Sequence, residues 1–209
     1  MQEIEFNGTR VLLMPVIKGL VSEGAKVREA IAENRPAAVA VSMAREEVEG
    51  LKAYQGDEIE LGDLEEVYKL GLENFGEVQL PPPCYTEAIK ACSEMDVPLV
   101  PVDMNEELFS DRYCELIGSM ELIKESFFSH RVAKKRFNLN SAEEFVLDYD
   151  RKVNGGRGIV ALNQEREEHM AKALADMSSG RTLVLALIEL ERFKGVVREL
   201  EALAPERAG

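Results

Sequence analysis

Tryptophan is absent, histidine occurs twice and cysteine three times, so the side chains that most often bind transition metals or act as nucleophiles are scarce. The cysteines, Cys84, Cys92 and Cys114, are odd in number and lack Cys-x-x-Cys spacing, which points to buried thiols and to neither a disulfide framework nor a zinc cluster. Long apolar runs are missing as well. No stretch reaches the roughly 18 residues of a membrane span, and the opening MQEIEFNGTR has neither the basic nor the apolar region of a signal peptide. A cytoplasmic protein without a membrane partner is expected. Positive charge is also short: 25 basic residues face 39 acidic ones, giving a formal charge of -14, which repels nucleic acid at long range. The one basic cluster, His130, Arg131, Lys134, Lys135 and Arg136 after Phe127 and Phe128, reads as a solvated helix face, with contact to a phosphate or acidic partner as the alternative.

With 45% hydrophobic residues, the 209-residue chain is long enough for one sizeable core and is expected to form a single domain. Residues 2–6 and 9–14 are apolar-rich runs around Asn7-Gly8, a two-residue hairpin signal. Residues 22–34 have helical spacing, ended by Arg35-Pro36, and AAVAVSM at 37–43 reads as a buried strand. Leu64, Val67, Tyr68, Leu72 and Phe75 share a helical face. A further helix is expected from near Cys84, after Pro81-Pro82-Pro83, and then a short strand, VPLVPV at 97–102, whose two prolines place it at an edge or a strand end.

Residues 105–150 contain no convincing strand and read as a helical insertion, its last helix capped around Ser141. Residues 154–158, with three glycines, form a turn without the spacing of a phosphate loop, so no cofactor is assigned. A charged helix at 163–177, the strand TLVLALI at 182–188 and a terminal helix complete the chain. The fold class is therefore α/β: a mostly parallel or mixed sheet with an N-terminal hairpin and helices on its faces. The apolar face of the terminal helix, from Phe193 to Leu203, suggests a homodimer.

Four stretches resemble the TraB/Tiki family, whose members are proposed metal-dependent hydrolases or proteases. They are MPVIKGLVSEGAKVREAIAENRPAAVAVSM at 14–43, PPPCYTEAIKACSEMDVPLVPVDMNEELFSDRY at 81–113, NQEREEHMAKAL at 163–174 and TLVLALIELERFKGVVREL at 182–200. The likeness implies a polar site at the strand ends, yet most of that site is replaced. The family's Gly-Thr-Ala-His turn becomes Pro15-Val16-Ile17-Lys18, and Ser42 stands where the second strand should end in glutamate. Cys84 replaces a helix-opening glutamate, Met104 follows Asp103 in place of arginine, and the Gly-x-x-His turn becomes Glu189-Leu190-Glu191-Arg192. Of the polar positions implied by the resemblance, Asp103, Glu165 and Arg166 remain.

A metal hydrolase needs about three well-placed ligands, whereas Lys18 and Arg192 would put positive charge where the cation should sit. No metal ligands are assigned. Lys18, Ser42, Asp103, Arg166 and Arg192 are instead candidates for holding a small anion at the carboxyl ends of the strands. In the opposing reading Lys18 pairs with Asp103, and Arg192 with Glu189 or Glu191, leaving a filled crevice. The expected function is that of a divergent TraB-like protein without metal-dependent hydrolysis, binding a small anion or a protein partner. The alternative is a hydrolase or protease with a rearranged site, for which Cys84, at a helix N-terminus, and Asp103 and Glu165 are the catalytic candidates.

Overall fold

The computed structural model describes residues 1–6, 8–118 and 135–204. Its centre is a five-stranded mixed sheet. Strand β1 (Gln2–Phe6) and strand β2 (Thr9–Val16) form the expected hairpin, with Gly8 at φ +80° in the turn. Strand β3 (Ala38–Val41), strand β4 (Leu99–Pro101) and strand β5 (Leu183–Glu189) complete it in the order β1-β2-β5-β3-β4. All pairs except β1 with β2 are parallel. The proline-containing β4 is an edge strand, where a missing backbone donor is tolerated, and β5 is central with all seven residues buried.

Alternation along the strands sends side chains to two cores. Leu12, Met14, Val16, Val39, Val41, Leu185 and Leu187 face helix α1 (Val21–Asn34) and helix α4 (Pro83–Glu94). Val11, Leu13, Ala38, Ala40, Val184, Ala186 and Ile188 face helix α7 (Arg157–Ser178) and helix α8 (Leu190–Leu203). Helix α1 ends as expected: Arg35 turns into the left-handed region at φ 44° and donates to the Ile31 carbonyl just before Pro36.

A third, smaller core lies over the carboxyl ends of the strands. Helix α3 (Asp63–Leu72) and helix α6 (Ala142–Val153) meet there around Leu72, Phe145, Val146 and Tyr149, against Ile17 and Leu20. The Tyr149 hydroxyl donates to the Leu64 carbonyl at 2.6 Å and ties the two helices together. Ser141 accepts the Glu144 N–H and caps α6, as its sequence predicts.

Several expectations need adjustment. Helix α2 (Arg45–Ala53) is not anticipated, because Val48 is its one buried side chain and its sequence carries little apolar periodicity. Helix α7 begins at Arg157, six residues before the expected 163, so the glycine-rich turn is shorter and Gly156 is its N-cap. The 105–150 stretch yields helix α5 (Glu106–Leu116) and α6. Residues 127–134 of the basic segment, and Asn7 of the hairpin turn, lie outside the described residues. The face expected to dimerise is consumed internally: Val196, Val197 and Leu200 pack into the chain's own core, and only Leu203 stays exposed.

Candidate functional site

Because β2, β5, β3 and β4 are parallel, their carboxyl ends share one sheet edge, and the residues that follow them are delivered there together. Lys18 follows β2, Ser42 follows β3, Asp103 follows β4, Glu189 ends β5, and Arg192 sits in the first turn of α8. The expected residues do gather at this edge. Their pairing differs from the expected one.

Lys18 Nζ donates to Glu189 Oε1 at 3.0 Å and not to Asp103. Strand order explains this. Val16 lies beside Glu189 in the register of β2 and β5, whereas three strand spacings, about 14 Å, separate β2 from β4. Asp103 is held instead by Arg166 of α7, whose Nε lies 3.1 Å from Oδ2. Arg192 bypasses Glu189 and Glu191 because α8 packs on α7: it reaches Glu167 at 3.1 Å and Asp150 of α6 at 2.5 Å. Gly195 makes room for that contact, since a Cβ there would fall 1.8 Å from Glu167 Oε2. Ser42 Oγ accepts the Glu189 N–H at 2.9 Å and shares a hydrogen bond with the Tyr85 hydroxyl at 3.1 Å.

Each cation of this edge has a carboxylate partner. Burial opposes the Lys18 ammonium, but its side chain keeps 36% exposure, and Glu189 and Glu191 more than compensate, so its pKa is raised. Burial likewise pushes Glu189 up, and Lys18, Arg166 and Arg192 together bring it below the ordinary carboxylate value. For Glu167 burial prevails over Arg192, and its pKa is raised. Lys18, Arg166 and Arg192 are each committed to a carboxylate.

The three catalytic candidates do not converge. Cys84 does open a helix, at the second residue of α4, but it is fully buried among the α1 and α4 side chains, and burial pushes its thiol up to about 12. At neutral pH it is a protonated thiol. Burial outweighs the effect of its place at a helix N-terminus. Glu165 lies on α7, a helix of the opposite sheet face, in a bidentate pair with Arg112 at 2.5 and 2.6 Å. Asp103 is occupied by Arg166.

No protein-family model matches the chain, and a search of curated proteins returns no match. The TraB/Tiki likeness therefore rests on the four stretches of sequence alone. The metal that the likeness implies does not fit those residues: the histidine position holds the Lys18 ammonium, already engaged by Glu189, and the last turn holds the Arg192 guanidinium. Among the described residues, no three His, Cys, Asp or Glu side chains gather as metal ligands. His169 sits half-buried on α7, and His130 lies outside the described residues.

Two depressions adjoin the edge. One, of about 500 Å³, is lined by Asp103 and Arg166 together with Glu46, Glu47 and Glu106. Four carboxylates against one guanidinium disfavour an anion there. The other, of about 690 Å³, lies under the α3–α6 cap and is walled mainly by apolar groups such as Leu51, Leu64, Leu72, Val78, Leu80 and Pro81. Two polar atoms on residues of its wall stand out: the Tyr68 hydroxyl and Glu191 Oε2 are buried and have no hydrogen-bond partner among the described residues. Both residues are half-buried overall, so it is these atoms that are shut away from water. Burial raises the Tyr68 pKa well above its ordinary value, and burial with neighbouring Glu189 raises that of Glu191. Sequence reasoning placed Tyr68 on an apolar face and Glu191 as an ion-pair partner. Nothing in the spacing of either one marks an unpaired polar atom.

Proposed function

We propose that the chain is a divergent TraB-like protein that acts by binding, and that its ligand is a small molecule held in the 690 Å³ cavity beneath the α3–α6 cap. The observation that carries this reading is the cavity itself, about 690 Å³ in volume with a largely apolar wall and few polar groups. A pocket of about 300–1,000 Å³ that is mostly apolar, with few polar groups, has the character of a small-molecule site. A small anion at the strand ends is less well supported, because each candidate cation is already paired. A hydrolase is less well supported too, because Cys84, Asp103 and Glu165 are buried apart or bound to arginine.

Thermal melts with a panel of small amphipathic molecules test the proposal. A ligand at about one hundred times its Kd stabilises by about 2.7 kcal/mol, which raises the Tm of a domain this size by about 5–10 °C. Val78→Trp, which fills the cavity, is expected to abolish the shift. A panel without effect, or a shift that survives Val78→Trp, would contradict the proposal, as would peptide or ester hydrolysis that chelation removes.

A further inference from the structure

We infer that the cavity takes an uncharged amphiphile: an apolar or aromatic body carrying one ketone, ester or hydroxyl oxygen that accepts a hydrogen bond from the Lys18 ammonium. This assignment rests on the binding function proposed above and adds the ligand's chemical class. Lys18 lines the cavity and its side chain is 36% exposed, so it is open to a ligand there. An ammonium carries three N–H donors, and Glu189 Oε1, at 3.0 Å, takes one of them. Other donors on the wall are directed at the protein itself: the Tyr54 hydroxyl at the Asp57 carbonyl, the Tyr149 hydroxyl at the Leu64 carbonyl and the Asn154 amide at Asp150. The Tyr68 hydroxyl is shut away from solvent, and Lys69 lies along α3 beside Glu73.

Charge decides against an ionised ligand. An anion would have to share Lys18 with Glu189, and Glu47, Glu65 and Asp150 also line the cavity, so like charges oppose it. The chain's formal charge of -14 adds a long-range repulsion of anions. A cation would stand beside the Lys18 ammonium, and the carboxylates within its reach are poor partners. Asp150 is held by Arg192, while Glu47 and Glu65 are exposed, where ion pairs are weak. An uncharged oxygen meets neither opposition. It accepts from Lys18 alongside Glu189 without displacing it, and the rest of the molecule lies against Leu51, Leu64, Leu72, Val78, Leu80 and Pro81. Burial of apolar surface then supplies most of the affinity, and the one charge-assisted hydrogen bond sets the orientation.

Benzylacetone, propylbenzene, hydrocinnamate and phenethylamine share a phenethyl body and end in a ketone, a methyl, a carboxylate and an ammonium group. Titrating the purified protein with each, with Kd read from amide chemical shifts, tests the assignment. The ketone is expected to bind at least about tenfold more tightly than propylbenzene, the least that a hydrogen bond to a charged group is worth, and more tightly than either ion. Lys18→Met, which keeps an unbranched stem and removes the ammonium, is expected to bring the ketone down to the affinity of propylbenzene while leaving propylbenzene unchanged. Equal affinity for ketone and propylbenzene, or a ketone affinity that survives Lys18→Met, overturns the assignment to Lys18 and leaves the binding function standing. Tightest binding of hydrocinnamate or phenethylamine overturns the uncharged class and likewise leaves the binding function standing. Binding of none of the four removes both, as does ketone binding that survives Val78→Trp. The four-ligand comparison needs only the unaltered protein, so it holds even if Lys18→Met fails to fold.

Discussion

At the residue scale, buried polar atoms divide into those that have partners and those that do not, and the two kinds respond oppositely to mutation. The Tyr68 hydroxyl has no partner, so removing it should relieve the protein of an unsatisfied group. Tyr68→Phe is expected to raise unfolding free energy by about 1 kcal/mol, read from urea denaturation; a loss of stability would show that the hydroxyl has a partner after all. Arg192 is the opposite case. Its side chain is 9% exposed and it neutralises Glu167 and Asp150, which are 11% and 21% exposed. Truncating one member of such a buried pair strands its partners and costs about 3–5 kcal/mol. Lys18→Ala is expected to cost less, about 1 kcal/mol, because the more exposed Lys18 is better screened by solvent. Equal losses for Arg192→Ala and Lys18→Ala would contradict the pairing described. Sequence alone placed Lys18, Ser42, Asp103, Arg166 and Arg192 near one edge, because each follows a strand end or lies on a helix tied to one. It could not supply their partners, which depend on β5 entering between β2 and β3.

At the scale of elements, the cap formed by α3 and α6 walls the cavity, and it holds through an aromatic cluster. Phe145 packs against Tyr68, Phe75, Phe137 and Tyr149, with ring centroids 5.8–6.3 Å apart. Gly71 lets α3 approach this cluster: a Cβ there would lie 2.0 Å from the Phe145 ring. Ala in place of Gly gains about 1 kcal/mol of helix propensity, but overpacking a core costs about 1–3 kcal/mol, and an overlap this deep belongs at the upper end. Gly71→Ala is therefore expected to lower stability by about 1–2 kcal/mol and to weaken any ligand of the cavity, as denaturation and titration would show. A stabilised variant with unchanged binding would mean that the cap does not close on Phe145. The elements themselves were largely legible: the hairpin from Gly8, the end of α1 from Arg35-Pro36 and β5 from an unbroken apolar run all follow from local chemistry. Helix α2 was not, since it buries little, and neither was the early start of α7, whose first turn contains Gly158.

At the scale of the whole molecule, the sheet supplies a rigid floor, α1 and α4 cover one face, α7 and α8 cover the other, and α3 and α6 roof the carboxyl edge. In open α/β sheets this edge is where ligands bind. Here the ion pairs fill it at floor level, and the open volume moves up beneath the roof. No described helix is long and apolar enough to cross a membrane. A ligand of the proposed kind is therefore expected between floor and roof, in the cavity lined by α3 and α6. Backbone amide chemical shifts followed during titration with the panel of small amphipathic molecules test this most directly. Saturable changes are expected to concentrate in α3, in α6 around Tyr149 and at the start of α8 around Glu191. Saturable changes confined to the Asp103–Arg166 depression, or no saturable change anywhere, would contradict it.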